Sequence, residues 1–246
     1  MSKNVKVEPQ LKQVRNYIEE LERVVDIHEH EGAIKDRAGD LFLSYYPESF
    51  FHKVLKNETI TNDRYVVVMF TDLVGFTVML ETHGTREVSE LLNRYFDDMD
   101  KIIHAHDGWI HKFNGDGMVV IFGLTEKSEQ IERKAVEAGE KMQERMTEFF
   151  TPEYGLEMRI GIEAGRVIFN EIRTGHARRF DCLGRVVNLA SRLEPKARKG
   201  GVILGPKITS VLKNEIQGRC ETETLELKGI KDPVECCHVI LSKKTV

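Results

Sequence analysis

From residue 85 onward, apolar side chains return every three or four positions, at Val88, Leu91, Leu92, Tyr95, Phe96, Met99 and Ile103. That is the period of a helix with one buried stripe, and it predicts a helix from Thr85 to His106. The rhythm recurs after Ser128, at Ile131, Ala135, Ala138, Met142, Met146 and Phe149, so a second amphipathic helix is expected on the same sheet. Between them, Trp109 to Phe113 and Met118 to Phe122 flank Asn114-Gly115-Asp116-Gly117, a hairpin turn sequence. Tyr65 to Phe70 reads as a buried central strand, and Leu156 to Ala164 and Val167 to Asn170 as two further strands. Val186 to Lys196 reads as a helix, and Thr222 to Leu227 and Val234 to Leu241 as late strands. Strand, helix, strand, strand, helix, strand is the βαββαβ series of a ferredoxin-like core, an α+β fold with helices on one face of an antiparallel sheet, here with extra C-terminal elements.

The N-terminal segment follows a different pattern. Leu11, Val14, Ile18, Leu21 and Val25 step by 3, 4, 3 and 4 residues, which is a short heptad seam. A stripe of this length fits either an amphipathic helix lying on its own domain or a dimerising coiled-coil stalk. The polar stretch Lys56 to Arg64 then sets the expected boundary near residue 60, with a helical stalk and linker over 1–60 and one larger domain over 61–246.

Composition narrows the functional classes. The 36 Lys and Arg against 40 Asp and Glu leave a net charge of −4, so no basic field points to nucleic acid or an acidic lipid surface. The run Tyr65 to Phe70 falls far short of the roughly 20 apolar residues a membrane helix needs, so no transmembrane segment is expected. The first ten residues lack a secretory pattern, and a cytoplasmic location is the expectation. Cys182, Cys220, Cys236 and Cys237 show no CxxC spacing and are expected as reduced thiols.

Two carboxylates stand out as candidate chemistry. Asp72 lies where the central strand runs into Leu73-Val74-Gly75-Phe76-Thr77 and a helix, a turn that exposes backbone N–H groups to phosphate. Asp116 lies in the hairpin turn, which a ferredoxin-like sheet sets beside the end of the first strand. Two converging carboxylates offer oxygen ligands suited to Mg²⁺ or Mn²⁺, and a pair of such ions can activate an attacking oxygen while neutralising a leaving phosphate. Other candidates fall away. Gly200 to Lys207 lacks the Gly-Lys-Ser/Thr of a phosphate loop. His104, His106 and His111 straddle a helix end and a new strand, which reads as surface or core histidines rather than a zinc site.

Five blocks carry a family resemblance: Phe70-Thr71-Asp72-Leu73-Val74-Gly75-Phe76-Thr77, Lys112-Phe113-Asn114-Gly115-Asp116, Arg159-Ile160-Gly161-Ile162, Gly184 to Glu194, and Leu227-Lys228-Gly229-Ile230. In this order, from residue 62 to about 241, they resemble the catalytic domain of class III nucleotidyl cyclases, most closely the bacterial adenylate cyclases. The resemblance implies that Asp72 and Asp116, with the Leu73 carbonyl, bind two divalent cations, Mg²⁺ or Mn²⁺. It implies that Asn188 and Arg192 orient the ribose and stabilise charge on the reacting phosphates, that Lys112 and Asp181 read the purine, that Lys228 holds the terminal phosphates, and that Phe76 and Thr77 line the substrate. The spacing of Asn188 and Arg192 puts both on one helical face. A Lys donor and an Asp acceptor complement adenine, so ATP is the expected substrate and 3′,5′-cyclic AMP and pyrophosphate the products. The family pattern also implies a homodimer with two shared active sites; the sequence does not name the stimulus, and an upstream regulatory partner is one candidate input. A guanylate cyclase and a catalytically silent nucleotide-binding regulatory domain remain as alternatives. Departures from the pattern, Glu163-Ala164, Arg185 and Phe169-Asn170-Glu171, are expected to shape the arm and the dimer surface.

Overall fold

The computed structural model describes residues 62–124, 129–173 and 178–241; the heptad stripe and the boundary near residue 60 lie outside them. The elements run β1 (Asn62–Val74), α1 (Phe76–Thr82), α2 (Thr85–Ala105), β2 (Gly108–Asn114), β3 (Gly117–Phe122) and α3 (Ile131–Arg145). A π-turn (Met146–Phe150) and the single turn α4 (Thr151–Tyr154) then lead into β4 (Glu157–Arg173), β5 (Arg178–Leu183) and α5 (Arg185–Leu193). A 3₁₀ turn (Glu194–Lys196), β6 (Val202–Leu204), α6 (Pro206–Val211), β7 (Cys220–Leu225) and β8 (Val234–Val239) complete the described chain.

Among the described residues these strands form one eight-stranded sheet in the order β2-β3-β1-β4-β6-β8-β7, with β5 pairing β4 off that path. The first four positions are the ferredoxin-like core, all antiparallel, with β1 between β3 and β4. The expected helical stripes supply its cover. Val88, Leu91, Tyr95, Met99 and Ile103 of α2 are buried, as are Ile131, Ala135, Ala138 and Met142 of α3. Each large apolar side chain so buried contributes about 1.5–3 kcal/mol, which is why the stripes rather than helix propensity hold these elements on the sheet. Buried Gln143 is satisfied by the carbonyls of Met158 and Gly201, at 2.8 and 3.0 Å.

The structure departs from the sequence reading at definite places. The two strands expected over 156–170 are one, β4, because pairing with β1 continues through Gly165 opposite Val66 and Arg166 opposite Tyr65. The helix expected to reach Lys196 gives way to the 3₁₀ turn after Leu193, with Pro195 inside that turn. Strand β5, the short strand β6 and α6 were not anticipated. Cys220 and Cys237, expected as free thiols, are joined by a disulfide, since adjacent strands bring their Cα atoms to 5.5 Å across a 17-residue separation. Cys182 and Cys236 are free and buried.

Candidate active site

The hairpin between β2 and β3 reaches the end of β1 through unusually close backbone contact. Pairing of β1 with β3 runs to Thr71 opposite Met118, and the Met118 N–H donates to Thr71 Oγ1 at 3.1 Å. A Cβ on Gly117 would lie 2.3 Å from the Thr71 carbonyl oxygen, so only glycine lets the turn sit here. Asp116 is thereby set beside Asp72. Burial and the Asp72 charge push the Asp116 carboxyl up, while backbone N–H groups, including that of Leu73, and the Arg159 guanidinium pull it back only in part.

Arg159 stands directly opposite Asp72 in the β1–β4 ladder. Its Nη2 lies 2.5 Å from Asp72 Oδ2, and its Nε lies 3.0 Å from Glu194 Oε1 without forming a directed hydrogen bond. Burial first, and then the charges of Asp72 and Asp116, raise Glu194 to about 7 against the pull of Arg159. Three acids therefore surround one guanidinium. The oxygens on offer, two carboxylates and the nearby Leu73 backbone, are the hard donors that Mg²⁺ and Mn²⁺ take. Among the described residues no group of three or more His, Cys, Asp or Glu side chains forms a complete metal cage. These oxygens would supply only part of a cation's shell, leaving the rest to phosphate and water. Glu194 is held by α5, which packs on β4 so tightly that a Cβ on Gly161 would fall 2.4 Å from the Glu194 nitrogen.

A second corner is built on β2 and β5. Lys112 Nζ donates to Asp181 Oδ1 at 3.1 Å, which brings the expected purine-reading pair together within one chain. His111 joins them, with Nε2 2.9 Å from the same oxygen, and the Cys182 N–H donates to it at 2.9 Å. Burial works to raise Asp181, but the hydrogen bonds from His111 and Lys112 outweigh it and hold the carboxyl below its usual range. Burial lowers His111, with Asp181 opposing.

Among the described residues no hydrogen bond or ion pair joins the side chains of the remaining expected residues to these corners. Asn188 and Arg192 are exposed on α5, where the Ser191 hydroxyl donates to the Asn188 carbonyl at 2.9 Å. Lys228 is exposed in the loop between β7 and β8, at a shallow cleft also lined by Leu227, Ile230 and Lys231. Phe76 packs half-buried against the core, and Thr77 is exposed in the first turn of α1.

Three residues of these corners were not singled out from the sequence. Arg159 and Glu194 were present inside two of the recognised blocks, and their residue types were the available signal. His111 had been set aside as a surface or core histidine, and nothing in its spacing marks it. Glu163, expected at the dimer surface, is instead only 2 % exposed. Its carboxylate accepts the N–H groups of Ala164, Lys207 and Ile208 at 2.6, 3.3 and 3.2 Å, tying α6 to β4.

Residues 59–242 match the adenylate and guanylate cyclase catalytic domain, and the chain belongs to that family. Solved structures agree on the fold. The adenylyl cyclase CyaB from P. aeruginosa is 28% identical with a TM-score of 0.66, covering 76% of this chain and 98% of that one. The guanylyl cyclase Cya2 is 29% identical with a TM-score of 0.63, covering 75% and 96%. Adenylate cyclase 1 of Rhizobium meliloti is 26% identical over 184 residues, which are 71% of this chain and 27% of that protein. The chain spans about a third or less of the length of the curated relatives it matches. The described part of the chain is thus a class III nucleotidyl cyclase domain with an eight-stranded sheet. No described helix is long and apolar enough to cross a membrane.

Proposed function

We propose that this domain is an adenylate cyclase, converting ATP to 3′,5′-cyclic AMP and pyrophosphate in a homodimer with two composite sites. The observation that carries the reading is the Lys112 ammonium held 3.1 Å from the Asp181 carboxylate. A donor beside an acceptor matches N1 and the 6-amino group of adenine, whereas guanine turns a donor and a carbonyl to the same edge.

Asp72, Asp116 and the Leu73 carbonyl would hold two divalent cations, Mg²⁺ or Mn²⁺, which when bound supply charge neutralisation and acidify the ribose 3′-hydroxyl. The protein's own groups do the rest. Lys112 and Asp181 hold the base, and Asn188 turns the ribose so that its 3′-oxygen faces the α-phosphorus in line. Arg192 opposes the negative charge that grows on the phosphoryl oxygens, and Lys228 holds the terminal phosphates as pyrophosphate leaves. The exposure of Asn188 and Arg192, one helical turn apart on α5, supports their acting on a site completed by a partner.

The test is incubation with ATP or GTP, each with Mg²⁺ or Mn²⁺, and quantification of cyclic nucleotides by mass spectrometry across protein concentration. Cyclic AMP with specific activity rising on dimerisation is expected. An excess of cyclic GMP would make it a guanylate cyclase. No cyclic product from a dimer that binds ATP would leave a silent nucleotide-binding domain.

A further inference from the structure

His111 occupies a place that strand geometry alone does not provide. Neighbouring residues on a strand point to opposite faces, yet His111 and Lys112 both reach Asp181 Oδ1. The ladder between β2 and β3 explains how. Its register passes from Ile110 opposite Val120 directly to Lys112 opposite Val119, so His111 is the extra, unpaired residue of a β-bulge. Bulges re-aim side chains, and this one turns His111 inward. Its side chain is 3% exposed. The Trp109 ring stands 5.3 Å away and the Phe169 ring 5.9 Å away, centroid to centroid, and Phe180 stacks on Phe169.

Two details define what the histidine does. Nε2 faces a carboxylate, so it carries the proton, while buried Nδ1 has no hydrogen-bond partner and holds only a lone pair. The ring is therefore a neutral donor in an aromatic box, in keeping with the downward push of burial on its proton affinity. On Asp181 the donors are unequally shared. Oδ1 accepts from His111, Lys112 and the Cys182 N–H, whereas Oδ2 has only the longer Lys112 contact at 3.4 Å.

We infer that His111 is a positioning residue for base choice, clamping Oδ1 of Asp181 so that Oδ2 is presented as the acceptor for a 6-amino purine. A 6-oxo purine would face that oxygen with lone pairs of its own and lose a hydrogen bond on both sides, the situation in which polar sites discriminate most strongly. This rests on the adenylate cyclase reading and extends it to a residue outside the Lys112 and Asp181 pair.

The experiment compares kcat/KM for ATP and GTP in the full chain for wild type, His111→Leu and His111→Gln, with melting temperatures measured alongside. The leucine fills the aromatic box without a donor, whereas the glutamine keeps an N–H near the position of Nε2. The ATP to GTP ratio is expected to fall about tenfold in His111→Leu, the loss of one hydrogen bond to a charged group, and to stay near wild type in His111→Gln. General loosening of the fold lowers both activities together and leaves the ratio alone. An unchanged ratio in folded His111→Leu, from an ATP-selective wild type, overturns the role of His111 and spares the adenylate cyclase reading. A wild type that prefers GTP sinks that reading and this inference with it. Should His111→Leu fail to fold, long-range ¹H–¹⁵N spectra of the histidine-labelled protein decide. A neutral Nε2–H tautomer whose Nε2 signal moves in Asp181→Asn supports the clamp, and an Nδ1–H tautomer overturns it.

Discussion

The carboxylate corner and the purine corner treat charge in opposite ways. Around Arg159 the fold gathers Asp72, Asp116 and Glu194, and one guanidinium does not neutralise them. Around Asp181 the fold sets one ammonium against one carboxylate and adds a neutral imidazole. The first arrangement is left with excess negative charge, which only cations from outside would balance. The second is already balanced, so what it offers a ligand is a pattern of donors and acceptors rather than a field. The contrast is physically reasonable for a reaction that moves phosphates at one end of its substrate and reads a base at the other.

Removing a carboxylate would break the contrast most severely. Asp72→Ala and Asp116→Ala are each expected to lower cyclase activity by about a thousandfold or more; Asp116→Ala should cost no melting temperature, because one like charge disappears, whereas Asp72→Ala should lower it, because the Arg159 guanidinium loses its 2.5 Å partner. An activity assay with a thermal melt checks both parts. Mixing Asp72→Ala chains with Asn188→Ala chains is expected to restore about a quarter of wild-type specific activity, since half of randomly assorted dimers are mixed and each has one intact site. Failure to recover with mixed dimers demonstrably present would count against shared sites.

At the balanced corner, Lys112→Glu combined with Asp181→Cys is expected to move the ATP to GTP ratio of kcat/KM by about a hundredfold towards GTP, because donor and acceptor are exchanged. A ratio that stays put would detach base choice from this pair. Gly117→Ala tests the geometry behind the negative corner. A Cβ there meets the Thr71 carbonyl oxygen, so the hairpin must shift, at about 1–3 kcal/mol of stability by urea denaturation, with activity falling more than base selectivity.

The smallest effect concerns Glu194. Its folded-state value, raised from 4.5 to about 7, means that the fold favours the protonated form. Wild type and Glu194→Gln are therefore expected to be matched below about pH 4.5. Wild type should then lose about 1–3 kcal/mol relative to the variant as pH rises through about 7. Urea titrations at pH 5 and pH 8 in a chelator measure this. A gap of opposite sign at pH 8 would mean that the Arg159 ion pair outweighs burial.

The framework on which both corners are built was legible in the sequence. The stripes on α2 and α3 and the Asn-Gly-Asp-Gly turn define the core, since each is a local pattern that burial merely selects. Asp72, Asp116, Lys112 and Asp181 were likewise legible as a resemblance carried by short blocks. Their partners were not. Arg159 meets Asp72 across a ladder 87 residues away, and Glu163 finds the N–H groups of α6 some 44 and 45 residues on.

By itself, then, the sequence determined the helices and strands of the ferredoxin-like core, their buried stripes and the residue types on offer for chemistry, because periodicity and residue type act over a few neighbours. Only the tertiary structure decided which charges are balanced and which are left over. It joined Cys220 to Cys237, buried Glu163, and turned His111 to the same side as Lys112. The reason is that strand register, a single inserted residue in a ladder and the close approach of two backbones are properties of pairs of segments, and no one segment encodes its distance to another.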